Sequence, residues 1–163
     1  MIGAGQMGAG IAQVAAQSGH TVLLNDRAPE YIARGRSTIA KNLERGVEKG
    51  RITAQARDET LARVVDTPAL EALDVDLAVE AATEHLPTKL DLFARLDAAC
   101  APRAILASNT SSISITTLGA ATKRPDRTIG MHFMNPVPVM QLVEIIRGIA
   151  TSQETLEFTR DLA

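Results

Sequence analysis

The chain has 163 residues, of which 45% are hydrophobic and 22% charged, and its formal net charge is −2 at pH 7. This length suits one globular domain over residues 1–163, and the interspersed charges exclude a basic surface for nucleic acid or for a membrane. No apolar run has the length of a membrane span, and the N-terminus lacks the basic segment of a targeting signal. The single cysteine, Cys100, excludes an internal disulfide and favours a cytoplasmic location, with Cys100 buried as a small apolar residue.

The first ten residues, MIGAGQMGAG, carry glycines with the spacing of a dinucleotide-binding turn. In such a turn Gly3 makes the bend, Gly5 lets the backbone approach a pyrophosphate, and Gly8 packs the next helix against a strand. The N–H groups that open this helix, at Gln6 and Met7, would face the phosphates. Three glycines at this spacing also occur in flexible loops, so the motif needs support from the rest of the chain.

That support comes from the next predicted strand. A helix is predicted from Gln6 to Ser18, ended by Gly19, and a short buried strand follows over residues 21–26. Its last residue, Asp26, lies 18 positions after Gly8, close to the spacing of about 20 expected for the acid that binds the adenosine ribose. The charge of Asp26 favours NAD over NADP, whereas the neighbouring Arg27 leaves NADP open because an arginine there can accommodate a 2′-phosphate.

Helices and strands alternate along the remaining sequence. Further helices are predicted over residues 29–49, 53–63, 67–73, 87–99 and 114–120, and a capping box at 151–154 predicts another. Further strands are predicted over residues 64–66, 76–82, 104–108, 128–133 and 141–146. The alternation predicts an α/β fold with a Rossmann-type, doubly wound, mainly parallel sheet and a helical insertion after the second strand.

Polar residues collect where these strands end, which is the edge of a doubly wound sheet that binds ligands. They are Asp26, Glu84, Asn109, Ser111 and His132. The run Asn-Thr-Ser-Ser at 109–112 has an alternative interpretation as a helix cap and turn, because these residue types favour both. A cap needs only one such residue, and the occurrence of four together favours a binding site.

His132 lies in an otherwise apolar strand that prolines at 136 and 138 must end. If strand 141–146 folds back about Pro138, Glu144 comes directly opposite His132, with Cβ atoms roughly 4.5–5.5 Å apart. Glu144 could then hydrogen-bond the imidazole and fix its tautomer, as expected for a histidine that acts as a general base. The alternative is a buried structural ion pair.

Four motifs occur in order, GAGQMGAG at 3–10, VEAATE at 79–84, SNTSS at 108–112 and GMHFMNPVPVM at 130–140. Together they resemble the NAD-binding domain of the L-3-hydroxyacyl-CoA dehydrogenases, most closely the bacterial 3-hydroxybutyryl-CoA type, over essentially the whole chain. The resemblance implies oxidation of the 3-hydroxyl group of an acyl-CoA by hydride transfer to NAD, in fatty acid metabolism. It implies no metal site.

The resemblance also assigns roles to single residues. The catalytic set consists of the base His132, its partner Glu144, the substrate-positioning Ser111 and the supporting Asn135. The cofactor set consists of Gly3, Gly5, Gln6, Met7, Gly8 and Asp26, with Glu84, Lys89 and Asn109 at the nicotinamide half. Lys49 matches a lysine that meets the CoA phosphates, and Asn42 a neighbouring CoA contact. The residues alone indicate only solvated charges at Glu84, Lys89 and Lys49.

Members of this family have several residues before Ile2 that form a central strand, and they continue into a C-terminal helical domain that completes the pocket and makes the homodimer. We therefore expect a chain truncated at both ends, without the helical domain and with little dehydrogenase activity alone. One alternative is an NAD-binding module without turnover. Another is a Rossmann dehydrogenase for a free 3-hydroxy acid, against which the helix that carries Lys49 argues because it offers a CoA site.

Overall fold

The structure, a computed structural model, describes residues 1–163, which form two compact units. The first unit comprises Met1–Ala69 and Asn135–Gln141, and the second comprises Leu70–Met134 and Leu142–Ala163. Both units combine helices with parallel strands, so the predicted α/β fold of Rossmann type is confirmed. None of the helices combines the length and the apolar character needed to cross a bilayer.

The first unit contains three helices and two strands. They are α1 (Gln6–Gln17), β1 (Val22–Leu24), α2 (Pro29–Glu48), α3 (Ala54–Arg63) and β2 (Val64–Asp66). Strands β1 and β2 pair in parallel, with Val22 opposite Val64, and Ile2 adds one parallel bridge to Asn25. Helices α2 and α3 form the predicted insertion between strands.

Local chemistry explains where these helices begin and end. Gly19, with φ of +96°, and Gly50, with φ of +65°, take left-handed conformations just after α1 and α2, where glycine carries no steric penalty. Thr53 caps α3, because its hydroxyl oxygen accepts a 3.1 Å hydrogen bond from the Ala56 N–H group. Small and branched apolar side chains from the strands and from α1 and α2 fill the core of this unit: Ala4, Ala9, Ala12, Ala16, Val22, Leu24, Ile32, Ile39, Leu43 and Val64.

The second unit is built on a four-stranded sheet. Its elements are β3 (Leu77–Glu80), α4 (Leu86–Ala99), β4 (Ile105–Ser108), α5 (Ile115–Ala120), a 3₁₀ turn (Pro125–Arg127), β5 (Thr128–Phe133), β6 (Val143–Arg147) and α6 (Gln153–Leu162). The strands lie in the order β3-β4-β5-β6, of which the first three are parallel and β6 is antiparallel to β5. All six strands predicted after the glycine turn are present, and their ends differ from the predicted ones by at most two residues.

The predicted helical turns over residues 67–73 are wrong. Leu73 instead forms a parallel bridge with Cys100, in which its N–H group donates to the carbonyl of Ala99 (2.8 Å) and its carbonyl accepts from Ala101 (3.1 Å). Ala72 has a φ of +49°, outside the helical region. Pairing with a distant segment therefore overrides the local preference of Thr-Pro for starting a helix.

The capping box at 151–154 predicts helix α6 correctly but places its N-cap at the wrong residue. Ser152 caps α6, because its hydroxyl oxygen accepts a 3.1 Å hydrogen bond from the Thr155 N–H group. Thr151 is buried and donates its hydroxyl to the carbonyl of Thr128 (2.6 Å), while Glu154 pairs with Arg127. The N-cap therefore lies one residue later than the sequence predicts.

Candidate cofactor and catalytic site

The glycine turn has the geometry that its spacing predicts. Gly3 has a φ of +95°, and a Cβ atom on Gly8 would lie only 1.8 Å from the Gly3 carbonyl oxygen. Gly5 is exposed, and a Cβ atom there would meet nothing within 4 Å. The turn is thus closed at Gly3 and Gly8 and open at Gly5, where a phosphate group has room to approach the backbone.

Backbone hydrogen bonds tie the residues around Ile2 to β1 and to the residue after it. The Gly3 N–H group donates to the carbonyl of Asn25 and the Asn25 N–H group to the carbonyl of Met1, both at 2.9 Å. The Met1 ammonium group donates to the carbonyl of Leu23 at 2.7 Å. The predicted strand at Met1 and Ile2 is therefore a single bridge, but its ladder bonds to β1 are made.

Asp26 is tied directly to this turn. One carboxylate oxygen accepts from the Ala4 N–H group and the other from the Arg27 N–H group, both at 2.7 Å. The Arg27 guanidinium turns to α2, where it donates to the Tyr31 hydroxyl (2.6 Å) and lies 4.7 Å from the ring centre. This geometry presents a carboxylate beside the turn, with the guanidinium held by Tyr31.

Other predicted residues of the first unit form two side-chain contacts. The Gln6 amide donates to the Asn135 side-chain oxygen at 3.1 Å. The Asn42 amide on α2 donates to the Gln13 side-chain oxygen on α1 at 3.2 Å. Lys49, the residue after α2, is exposed, as the sequence predicts for a solvated charge.

The predicted pairing of His132 with Glu144 is confirmed. Strands β5 and β6 are antiparallel with these two residues directly opposite, and His132 Nδ1 lies 2.8 Å from Glu144 Oε2. The pair is not buried, because 21% of the His132 side chain and 51% of the Glu144 side chain remain exposed. A buried structural ion pair is therefore the wrong interpretation, and the imidazole is open to a ligand.

Asn109 joins the carboxyl ends of three strands in the second unit. Its N–H group donates to the carbonyl of Glu80 at the end of β3 (2.7 Å), and its side-chain oxygen accepts from the Phe133 N–H group on β5 (2.9 Å). Because Phe133 follows His132, this contact fixes the backbone beside the imidazole.

Glu84 organises the segment that contains Ser111. Its Oε1 atom accepts from the Thr110 hydroxyl, from the Ser111 N–H group (3.1 Å) and from the Ser112 hydroxyl (3.2 Å). Partial burial by itself would raise the pKa of the Glu84 carboxyl, but the Thr110 hydrogen bond, the Lys89 charge and the Ser111 and Ser112 donors together hold that pKa below its usual range. The run 109–112 is therefore more than a helix cap.

Lys89 is not the solvated charge that the sequence indicates. Its side chain is 0% exposed, and its Nζ atom donates to both carboxylate oxygens of Glu80 at 2.7 Å. Glu80 is also fully buried and accepts further hydrogen bonds from the Ser108 hydroxyl and the Ala82 N–H group, both at 2.6 Å. An ammonium group can be buried in this way only because a carboxylate faces it.

Glu80 lies at the edge of the candidate site, and the sequence patterns did not identify it. The available signal was the one that identified His132, namely a charged residue in a strand that is otherwise apolar. The register of β3 on β4 places Glu80 opposite Ser108, which supplies one of its donors. Cys100 is buried as predicted, and its burial raises the pKa of its thiol.

Comparison with known proteins agrees with this geometry. The family described as 3-hydroxyacyl-CoA dehydrogenase, NAD binding domain, matches residues 1–163. The chain is 51% identical over 162 residues to a 3-hydroxybutyryl-CoA dehydrogenase of Bradyrhizobium diazoefficiens, covering 99% of this chain and 55% of that protein. It is 52% identical to a probable 3-hydroxybutyryl-CoA dehydrogenase of Deinococcus radiodurans, covering 100% of this chain and 59% of that protein.

A solved structure gives the same result. The crystal structure of (S)-3-hydroxybutyryl-CoA dehydrogenase from Ralstonia eutropha matches with a TM-score of 0.94 and 42% identity, covering 99% of this chain and 59% of that one. The chain therefore belongs to the family of 3-hydroxyacyl-CoA dehydrogenase NAD-binding domains, and its cofactor is NAD. It spans between 55% and 59% of the length of these relatives.

Proposed function

We propose that this chain carries the cofactor turn and the general base of an enzyme that oxidises (3S)-3-hydroxyacyl-CoA to 3-oxoacyl-CoA. The observation that carries the proposal is the His132–Glu144 pair, which combines a 2.8 Å hydrogen bond with a partly exposed imidazole. A base needs this combination, since the carboxylate orients the ring and the open side accepts the proton.

The residues present fit NAD. Gly5 leaves room for the pyrophosphate, and the Asp26 carboxylate beside the turn is an acceptor for a ribose hydroxyl. Gln6, Met7, Gly3 and Gly8 are proposed to bind the same part of the cofactor. Glu84, Asn109 and Lys89 serve the nicotinamide half. When bound, NAD⁺ accepts the hydride from the carbon that bears the hydroxyl group.

His132 moves the proton. The Glu144 carboxylate accepts from the Nδ1–H group, which leaves Nε2 of the neutral ring as the acceptor for the substrate hydroxyl proton. As that proton leaves and the hydride departs from the same alcohol, C3 and its oxygen become a carbonyl group. Ser111 would position this oxygen, because its backbone is held by Glu84 and its hydroxyl is exposed. Asn135 is proposed as a supporting residue, and its contact with Gln6 holds it beside the glycine turn.

Lys49 and Asn42 on the helical insertion are proposed to meet the CoA part of the substrate. Lys49 is an exposed ammonium group, as a phosphate contact requires, and Asn42 is half-buried about two helical turns earlier. This choice of substrate separates the proposal from a dehydrogenase for a free 3-hydroxy acid. A cytoplasmic location belongs to the same proposal and is supported by the lone, buried cysteine.

The test is NADH formation in the protein at the length of its relatives, measured by absorbance with 3-hydroxybutyryl-CoA and with free 3-hydroxybutyrate. We expect turnover of the CoA thioester and little of the free acid. We also expect Lys49→Ala to raise KM for the thioester several-fold without changing kcat. Equal turnover of both substrates would favour the free-acid dehydrogenase, and NAD binding without turnover of either would favour a binding module.

A further inference from the structure

The buried pair of Glu80 and Lys89 lies beside Glu84. The function proposed above gives Lys89 a place at the nicotinamide half of the cofactor and gives Glu80 no role. Both side chains are 0% exposed, so neither can touch a ligand unless it leaves its position. Removing two charges from water is costly, and well-packed apolar residues of similar volume often serve a core equally well. Stability alone therefore does not account for this pair.

Lys89 is also placed against the preference of its helix. It lies in the first turn of α4, where the aligned peptide dipoles disfavour a cation. No acidic residue of that first turn compensates it, and Glu80 from β3 supplies the negative charge. The ammonium group thus depends on Glu80 for its position.

The ammonium group of Lys89 also lies close to Glu84. Its Nζ atom lies 3.6 Å from Glu84 Oε2, the oxygen that receives none of the three donors of the 110–112 segment. Glu84 keeps 40% of its side chain exposed. A chain of contacts therefore runs from the fully buried Glu80 through Lys89 to a carboxylate that reaches solvent.

We infer that Glu80 is a positioning residue, which through Lys89 fixes the Glu84 carboxylate and with it the Ser111 segment for cofactor binding. The inference rests on the proposed role of Glu84 at the nicotinamide half. It gives Lys89 an indirect part, because the ammonium group orients Glu84 and does not contact the cofactor. Ser108 contributes by filling the remaining acceptor position of Glu80.

The charged groups around Glu84 are few, which makes the coupling measurable. Lys89 faces it from α4, and Glu80 lies behind Lys89 on β3. The adjacent His85 is engaged with Thr88 at 2.9 Å. Loss of the Lys89 charge should therefore raise the pKa of Glu84 towards its ordinary value.

The test uses the double variant Glu80→Gln/Lys89→Met, which removes both charges together and leaves no unpaired buried ion. The matched control is Asp97→Asn/Arg124→Met, because that pair has a 2.7 Å contact, is 9% and 12% exposed, and lies at the other end of α4. NADH binding is followed by fluorescence, and the Glu84 pKa by carboxyl ¹³C NMR titration. Circular dichroism checks that each variant is folded.

We expect the Glu80/Lys89 variant to bind NADH about tenfold more weakly, as when one charge-assisted hydrogen bond to a ligand is no longer held in place. Its Glu84 pKa should rise, while the control changes neither quantity. Unchanged NADH affinity in the folded variant would overturn the inference, because the loss of charge by itself already raises the Glu84 pKa. Absence of NADH binding by the unaltered chain would instead refute the proposed cofactor role, and the NMR titration would still decide the coupling.

Discussion

His132 shows how much a single side chain depends on its neighbour. Its Nδ1 atom is engaged by Glu144 at 2.8 Å, and about a fifth of the side chain, 21%, remains exposed. A histidine buried on both sides could not exchange a proton with a ligand, and one without a carboxylate could adopt either tautomer. The two properties together support the proposed role of His132 as the general base.

We expect His132→Ala to lower kcat by roughly 10²–10⁴-fold in the protein at the length of its relatives, the contribution of a general base. NAD affinity should stay nearly the same, because the proposed pyrophosphate and ribose sites lie at Gly5 and Asp26, away from the imidazole in the chain. Steady-state kinetics and calorimetry with NAD measure the two quantities.

Glu144→Gln is the matched control, since the amide oxygen can still accept from Nδ1 but carries no charge. It should reduce kcat less than His132→Ala does. A kcat that is unchanged in His132→Ala would show that another group is the base.

At the scale of elements, the turn between the N-terminal bridge and α1 separates two uses of glycine. At Gly8 the helix approaches the turn so closely that a Cβ atom would overlap the Gly3 carbonyl oxygen, at 1.8 Å. At Gly5 the space is empty, and the backbone φ of −68° is open to any residue. Close packing therefore requires glycine at position 8, whereas at position 5 we propose that a ligand requires it.

Two alanine variants distinguish these uses. Gly8→Ala should destabilise the chain by about 1–3 kcal/mol or more, as overpacking does, and should weaken NAD binding. Gly5→Ala should keep the stability within about 0.5 kcal/mol and yet weaken NAD binding, because the methyl group occupies the space of the pyrophosphate. Urea unfolding measures the stability of each variant, and calorimetry measures its affinity for NAD. Equal stability losses in the two variants would contradict the assignment.

The strand pair β5–β6 is the second element that could be predicted in detail. Alternation along a strand has a period of two, so once the prolines fix the turn, the register decides which residues face each other. That logic placed Glu144 opposite His132, and the observed register agrees. Residues 67–73 show the limit of such logic, because their bridge partner, Cys100, lies 27 positions away from Leu73.

At the scale of the whole molecule, binding of NAD adds to the stability of the folded state. At 100 times Kd the gain is about 2.7 kcal/mol, which for a chain of this length corresponds to a rise in Tm of roughly 5–11 °C. NADP at the same concentration should give a much smaller rise, because the Asp26 carboxylate repels the 2′-phosphate.

Thermal unfolding followed by fluorescence or calorimetry checks this difference. Asp26→Asn is the informative variant, since the amide oxygen can still accept from the Ala4 N–H group while the negative charge is lost. This variant should show a smaller difference between the rise in Tm with NAD and the rise with NADP. A chain that NADP stabilises as much as NAD would instead point to Arg27 as a 2′-phosphate ligand.

The sequence by itself determined the features that depend on spacing: the glycine turn, the acid 18 residues beyond it, and the register of His132 on Glu144. Each of these follows from backbone geometry over a short stretch of chain. The tertiary structure alone decided that Lys89 and Glu80 are buried together, and that Leu73 pairs with Cys100. The physical reason is that desolvation and pairing depend on which distant segments meet, and local patterns do not contain that information.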